Sequence, residues 1–355
     1  MPTVQTNDIE SYYVVRGEGP PIVFIHGALS DHTAAAQQLE AFSDAYTAIA
    51  YDLRGHGRTT NPQHRPYSID LLAEDLRAFV TAVGLERPVL CGVSMGGMIA
   101  QTYASRYSEQ LGGLVLADTF APAFLGRRDR IERTTLVNAM AGLVRLVGYN
   151  RAKGLVLWFG RKLEREKTTS LRADAFPDMD TADAVNALRA VRSFSTTDID
   201  LSSIAAPTLV LYGEHETSII SRHAPTLAGQ IPNSTLQEVP NAGHASPWDN
   251  PEFFNDAIRT FLTNPRSSAS AECVSVPLTD GHHIFGYPGE NAEMMGLMQK
   301  LRRLLGLVEG HEDKIAKQVS KRTSVSEEKA KRGLEKVQET VGEDSNNDIG
   351  DPNRR

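Results

Sequence analysis

The sequence predicts an α/β fold in which a mostly parallel, doubly wound sheet carries an inserted helical cap, with a small helical extension at the carboxyl end. Two observations predict it. Up to residue 117, short apolar runs of strand length alternate with segments whose apolar residues recur every three or four positions. A stretch without strand character follows, and the strand pattern returns near residue 207. In such a sheet, the loops that carry chemistry lie at the carboxyl ends of the strands.

The strands are predicted from apolar runs that are bounded by glycine, proline or polar turn residues. The first run alternates and is rich in aromatic residues, and the next is continuously apolar, as a strand buried on both faces is. The predicted strands cover residues 12–15, 22–25, 46–51, 88–92, 113–117, 207–212 and 234–239.

The helices are predicted from apolar side chains at three- and four-residue spacing, which residues 68–83 show clearly. Helices at 33–42, 68–83, 97–107 and 251–262 are expected to flank the sheet. The cap is expected to contain helices at 131–147, 153–163 and 182–194.

The changes of pattern along the chain predict its domain organisation. Residues 1–264 form the main domain, with the cap at about 119–203. Residues 265–293 start with the small polar residues of a linker. Amphipathic helices are predicted within 294–342, and residues 343–355 have the composition of a disordered tail.

Composition narrows the class of protein. With 41% hydrophobic residues in 355, the chain can bury a sizeable core. The net charge of −7 gives no attraction to phosphate backbones, so nucleic acid is not an expected partner. Two cysteines, Cys91 and Cys273, do not make a disulfide framework and favour the cytoplasm. With no signal-peptide pattern and no apolar run of about 18 residues, neither secretion nor a membrane is expected.

The charged helices predicted near residues 314–341 weakly resemble the helical hairpin of histone-like HU proteins, but the β arms that grip DNA are missing. Acidic residues balance the lysines of this segment. The balance favours a solvated helical pair or a homo-oligomer contact over a DNA reader.

Ser94 lies on a strand-to-helix turn within Gly92-Val93-Ser94-Met95-Gly96. Glycines two residues before and after the serine are needed where the turn is so tight that side chains would collide. Such a turn lifts the serine oxygen clear of the sheet edge, and the pattern is that of a nucleophile elbow. A serine held in this way can attack a carbonyl carbon once a nearby base takes its proton.

Residues 20–262 resemble the alpha/beta-hydrolase fold family through five motifs in the family's order. These are His26-Gly27-Ala28, the segment from Asp52 to Gly57, the elbow at Ser94, Gly213-Glu214-His215-Glu216, and Gly243-His244. The resemblance implies that His244 is the general base and that the acid that orients it is Glu216, where the family usually has aspartate. Asp118, in the loop after the strand at 113–117, is the alternative acid.

An oxyanion hole is expected from two backbone N–H groups. Met95 supplies one by its position after the nucleophile, and the resemblance assigns the other to Ala28. His26 is interpreted as a structural hydrogen bonder, Asp52 to Gly57 as scaffold, and Glu214 as a residue that stabilises its own loop. No metal-ligand spacing is found among the histidines, and no cofactor is expected.

The predicted function is that of a serine hydrolase, of carboxylesterase or lactonase type, acting on a small ester or lactone through an acyl-enzyme. Within the family, the segments at Ser94 and Asp118 are most similar to the small esterase and 3-oxoadipate enol-lactonase branch. Carbon–carbon hydrolases, thioesterases and perhydrolases also use serine and stay open. A non-catalytic ligand receptor or scaffold on the same fold is the alternative from another class.

Overall fold

An eight-stranded sheet forms the centre of the molecule. The computed structural model of the chain describes residues 2–62, 66–154 and 176–263, together with Glu328. The sheet has the order β1-β2-β4-β3-β5-β6-β7-β8. Its strands are β1 (Thr3–Thr6), β2 (Ile9–Arg16), β3 (Pro21–Ile25), β4 (Thr47–Tyr51), β5 (Val89–Val93), β6 (Gly113–Ala117), β7 (Thr208–Gly213) and β8 (Ser234–Val239).

The six strands from β3 to β8 are parallel to one another. Strand β1 pairs antiparallel with β2, and β2 pairs antiparallel with β4. This confirms the α/β class and the mostly parallel sheet. Strand β1 was not predicted from the sequence, since three of its four residues are polar. An edge strand of this kind is held by backbone pairing with β2 and carries no apolar run.

Besides residues 149–154, which are also helical, nine α-helices with defined bounds lie in these parts of the chain. They are α1 (Ala36–Phe42), α2 (Ile69–Val83), α3 (Met95–Tyr107), α4 (Arg127–Val147), α5 (Thr181–Ser193), α6 (Ser218–Ser221), α7 (His223–Gln230), α8 (Ser246–Asp249) and α9 (Pro251–Thr263). Local signals bound α2: Ser68 accepts the Leu71 N–H at its start, and Gly84 ends it in the left-handed conformation. The short helices α6, α7 and α8 were not predicted.

Alternate residues of the central strands point into two separate layers of core. On β3, Val23 packs into the layer that includes α2 and α3, and Phe24 packs into the layer that includes α1 and α9. Both side chains are at most 5% exposed. Because both faces are covered, these strands lack the apolar–polar alternation of a half-exposed strand, as their continuous apolar runs indicate.

The described part of the segment between β6 and β7 contains helices and loops but no strand, and α4 packs against α5. Asp183 of α5 attaches this segment to the main body, because its carboxylate accepts from Asn61 and its backbone carbonyl accepts from the Tyr67 hydroxyl. Most of the helix predicted at 153–163 lies outside the described residues. So do the linker, the helical extension and the tail, apart from Glu328, and those domain assignments stay predictions.

None of the described helices is both long enough and apolar enough to cross a lipid bilayer.

Candidate active site

Ser94 sits at the turn between β5 and α3 in a strained backbone conformation, with φ 54° and ψ −117°. A non-glycine residue at positive φ costs about 1–3 kcal/mol and persists only where its surroundings enforce it. Here the end of β6 does so: the Ser94 N–H donates to the Ala117 carbonyl at 2.9 Å, and the Thr119 hydroxyl donates to the Ser94 carbonyl at 2.7 Å. The elbow is therefore clamped from the neighbouring strand.

Gly92 and Gly96 leave no room for a side chain. A Cβ atom on Gly92 would lie 2.3 Å from the Gly96 carbonyl oxygen, and a Cβ on Gly96 would lie 2.1 Å from the Ile25 carbonyl oxygen. Both contacts are with backbone, which has no freedom to move aside. The crowding expected from the sequence is thus present on both sides of Ser94.

His244 lies between Ser94 and Glu216. Its Nε2 is 3.1 Å from Ser94 Oγ, and its Nδ1 is 2.6 Å from Glu216 Oε2. Because an ionised carboxylate only accepts, Nδ1 donates to Glu216, and in the neutral ring Nε2 is then free to accept the proton of Ser94. The structure brings these three side chains, from loops after β5, β7 and β8, into one hydrogen-bonded chain.

The three residues differ in their access to solvent. The Glu216 side chain is completely buried, whereas the His244 side chain is 46% exposed. The other oxygen of Glu216 accepts from the backbone N–H and the hydroxyl of Thr217. The carboxylate is thus fixed in place by Thr217, while one side of the imidazole stays open.

The loops that carry Glu216 and His244 are tied to each other. The His215 N–H donates to the Ala242 carbonyl at 2.8 Å, and the Glu214 carboxylate accepts the Asn241 N–H at 2.9 Å. Glu214 therefore fastens these two loops, in keeping with the loop role predicted for it. These bonds fix the spacing between the carboxylate and the imidazole.

Asp118, the alternative acid, lies buried beneath this pair. One of its oxygens accepts the Gly213 N–H at 3.1 Å, and the other accepts from the Ser246 N–H at 3.1 Å and the Ser246 hydroxyl at 2.6 Å. Asp118 thus links the end of β7 to the start of α8. In this structure the Nδ1 atom of His244 faces Glu216 rather than Asp118.

Charges close to His244 control its protonation. Burial of the ring lowers the pKa of His244. The charge and the hydrogen bond of Glu216, together with the charges of Asp118 and Asp249, raise it by more in total, so the pKa lies above its usual value of 6.5. Burial and the negative charge of Glu216 both raise the pKa of Asp118. The negative charges around His244 thus stabilise the imidazolium that forms when the ring takes a proton.

The loop that follows β3 abuts the elbow. A Cβ atom on Gly27 would lie only 3.2 Å from the Cβ of Ser94, so the small residue permits this close approach. Ala28 lines the cavity beside Ser94, and Met95 begins α3 with its side chain buried. Met95 is thus adjacent to the serine in the chain, and Ala28 follows the glycine that approaches it.

His26 is held as a neutral structural residue. Its Nδ1 donates to the Gly27 carbonyl at 2.8 Å, and its Nε2 accepts the Leu53 N–H at 3.1 Å. Burial lowers its pKa, which keeps the ring uncharged. Asp52 is likewise scaffold, because its carboxylate accepts backbone N–H groups of His32 and Arg58 and so fixes two turns.

A cavity of about 140 Å³ opens beside Ser94 and His244. Sequence reasoning missed several residues of its wall, including His32, Gln38 and Trp248, because their helical or loop context carries no recognisable motif. Among the described residues, no group of three or more His, Cys, Asp or Glu side chains is placed to hold a metal ion.

Comparison with known proteins places the chain in a well-populated group. A family model described as alpha/beta hydrolase fold matches residues 20–251. A non-heme chloroperoxidase of Kitasatospora aureofaciens is 31% identical over 275 residues, covering 73% of this chain and 98% of that protein. The 3-oxoadipate enol-lactonase 2 of Acinetobacter baylyi is 27% identical over 266 residues, covering 73% and 96%. The solved structure of an esterase from Thermogutta terrifontis is 26% identical, with a TM-score of 0.61 and coverage of 74% and 98%.

Proposed function

Because the chain belongs to the alpha/beta-hydrolase fold family, we propose that it is a serine hydrolase that cleaves a small carboxylic ester or lactone through an acyl-enzyme intermediate. One observation carries the proposal: the hydrogen-bonded chain from Ser94 Oγ through His244 to Glu216. A serine is a poor nucleophile unless a base accepts its proton and a carboxylate orients that base. This chain of contacts provides both.

In the proposed reaction, Ser94 Oγ attacks the carbonyl carbon while His244 Nε2 takes the serine proton. Buried Glu216 stabilises the imidazolium that forms. The backbone N–H groups of Ala28 and Met95 stabilise the negative oxygen of the tetrahedral intermediate. His244 then protonates the leaving alcohol or enol, and a water molecule, deprotonated by His244, releases the acid and restores Ser94.

The ester or lactone class is supported by the relatives and by the cavity. A 3-oxoadipate enol-lactonase and an esterase are among the similar proteins. The cavity of about 140 Å³ next to Ser94 suits a small substrate group rather than a polymer.

The test combines covalent labelling with turnover. Wild type and Ser94→Ala are treated with a fluorophosphonate probe and assayed on a panel of p-nitrophenyl esters and lactones. We expect a single label on Ser94, found by mass spectrometry of the peptides, and loss of turnover in the variant. A folded wild-type protein with neither label nor turnover would instead support a non-catalytic receptor or scaffold.

A second candidate is perhydrolysis, the cleavage of the acyl-enzyme by hydrogen peroxide. It is supported by the 31% identity to a non-heme chloroperoxidase, because the name of that protein denotes a reaction that consumes a peroxide. In this reaction hydrogen peroxide replaces water in the deacylation step, so the acyl group leaves Ser94 as a peracid and the serine regains its proton. Peracid formation from acetate and hydrogen peroxide, compared with ester hydrolysis by the same preparation, measures the balance between the two reactions.

A further inference from the structure

The loop that follows β3 contains a non-glycine residue at positive φ. Leu29 has φ 64° and is buried, with 7% of its surface exposed. A leucine in this conformation is strained and persists only where its surroundings enforce it. Leu29 directly follows Ala28, whose N–H group is the proposed second donor of the oxyanion hole. Its backbone angles set the direction in which the chain leaves that donor, so a group that holds Leu29 also holds the donor.

A side chain from the segment between β6 and β7 holds Leu29. The Tyr149 hydroxyl donates to the Leu29 carbonyl at 3.2 Å. In the described part of the chain, this is the one hydrogen bond that the Leu29 carbonyl accepts. Burial raises the pKa of Tyr149, so its hydroxyl stays protonated and available as a donor at neutral pH.

Tyr149 is itself fixed in place. The helix α4 ends at Val147, and Gly148 turns the chain at φ 82° before the helical residues 149–154. The Tyr149 N–H donates to the Thr181 hydroxyl at the start of α5, at 3.1 Å, and Lys153 Nζ lies 5.8 Å from the centre of the ring. The residue is only 2% exposed. A tyrosine already ordered by these contacts loses little further conformational entropy when it donates to the loop.

A second hydrogen bond acts on the other side of Ala28. His26 Nδ1 donates to the Gly27 carbonyl at 2.8 Å. That carbonyl belongs to the same planar peptide unit as the Ala28 N–H, so this bond fixes the plane of the donor. Tyr149 holds the carbonyl of the residue after Ala28. The proposed donor thus lies between two hydrogen bonds, one from the main domain and one from the segment between β6 and β7.

Tyr149 is placed to act through the loop and not on the substrate. The described wall of the cavity beside Ser94 does not include Tyr149. A phenol hydroxyl has a single proton to donate, and here the Leu29 carbonyl accepts it. An effect of this hydroxyl on the reaction therefore passes through the backbone of the loop.

We propose that Tyr149 is a positioning residue for the oxyanion hole: its hydroxyl keeps Leu29 in the strained conformation and thereby aims the Ala28 N–H at the reacting carbonyl oxygen. The inference rests on the proposed hydrolase function. Stabilisation of the oxyanion depends on donors that are in place before the charge develops. The segment between β6 and β7 thus takes part in the chemical step.

The test compares Tyr149→Phe with Tyr67→Phe as a matched control. Each variant loses one buried hydroxyl that joins the segment between β6 and β7 to the main domain, since Tyr67 donates to the Asp183 carbonyl at 2.9 Å. Of the two hydroxyls, only that of Tyr149 donates to the loop after β3. The contribution to holding the segment is therefore similar in both, and the difference between the variants reports on the oxyanion hole.

The first readout is the kinetics of the p-nitrophenyl ester that the wild type hydrolyses best. We expect kcat and kcat/KM of Tyr149→Phe to fall together by about tenfold, with KM changed less than about twofold, because an interaction made only in the transition state is weakened. Loss of a whole oxyanion-hole donor costs about 10²- to 10³-fold, and a misdirected donor costs less. For Tyr67→Phe we expect less than about a twofold change in kcat.

The second readout is inhibition by trifluoroacetophenone and by acetophenone. Ser94 Oγ adds to the activated carbonyl carbon of the fluorinated ketone, His244 takes the serine proton, and the carbonyl oxygen becomes negative. Acetophenone has nearly the same shape and binds without this charge. We expect Tyr149→Phe to raise the inhibition constant of trifluoroacetophenone about tenfold and that of acetophenone less than about twofold. Thermal unfolding verifies that both variants are folded.

Three outcomes would overturn the inference. If ester turnover depends on Ser94 but Tyr149→Phe matches Tyr67→Phe in kcat and in both inhibition constants, Tyr149 serves the fold alone and the hydrolase function stands. If KM rises while kcat stays unchanged, Tyr149 acts on substrate binding and not on the oxyanion hole. If no ester is turned over in a Ser94-dependent way, the proposed function fails and the inference fails with it.

Discussion

Asp118 binds Ser246 twice, through the serine N–H and hydroxyl, and so connects the end of β6 to the residue two positions after His244. Its second carboxylate oxygen binds the Gly213 N–H, three residues before Glu216. Asp118 thus holds both the loop that carries Glu216 and the loop that carries His244. Glu216, and not Asp118, is in contact with the imidazole. This arrangement separates the roles of the two carboxylates and leads to distinct expectations for their substitution.

Glu216→Gln is expected to reduce kcat/KM by about 10²- to 10⁴-fold, because the imidazolium loses its buried counter-charge. The pH profile gives a second readout. Glu216 raises the pKa of His244, so removing its charge leaves the lowering effect of burial and moves that pKa down. His244 must be neutral to act as the base. The acidic limb of the profile of kcat/KM against pH should therefore move to lower pH in the variant. A limb that stays in place would contradict the assignment of Glu216.

Asp118→Asn is expected to act mainly on stability. The amide keeps one acceptor for the Gly213 N–H but turns a donor toward the Ser246 N–H, which leaves that group without a partner. The loss should be about 1–3 kcal/mol in the free energy of unfolding, measured by urea denaturation. At a temperature where the variant is folded, kcat/KM should fall less than tenfold. A loss of activity as large as that of Glu216→Gln would instead make Asp118 the orienting acid.

Replacing Ser94 should expose the strain of the elbow. Ser94 has φ 54°, which glycine adopts without a steric penalty and alanine does not. Both Ser94→Gly and Ser94→Ala remove the hydroxyl and its contact with His244, and both should be inactive. Ser94→Gly is expected to be more stable than Ser94→Ala by about 1 kcal/mol in thermal unfolding. Equal stabilities would mean that the turn is not strained.

The glycines of the elbow should not tolerate alanine. Gly96→Ala places a methyl group 2.1 Å from the Ile25 carbonyl oxygen, and we expect a loss of about 3 kcal/mol or more in the free energy of unfolding. Gly229→Ala in α7 is the control, because its Cβ would meet nothing within 4 Å. That variant should gain about 0.5–1 kcal/mol from the better helix propensity of alanine. Soluble expression and chemical denaturation of both variants provide the measurement.

Local pattern predicted most of the fold and the elbow. Continuous apolar runs predicted the buried central strands, and the paired glycines predicted the crowded turn at Ser94, because both effects depend on neighbours along the chain. The resemblance to the hydrolase family predicted His244 and Glu216 as the partners of Ser94. The edge strand Thr3–Thr6 was missed because backbone pairing, which is independent of side-chain type, holds it.

What the sequence by itself determined is the α/β class, the order of the elements and the strained position of Ser94, all of which follow from short-range sterics and hydrophobic periodicity. Tertiary structure decided the rest. It decided that Glu216 rather than Asp118 faces His244, and that Gln38 lies in a cavity wall beside Ser94. These relationships join residues that are far apart in the chain, so they depend on how loops from separate strands pack at one edge of the sheet.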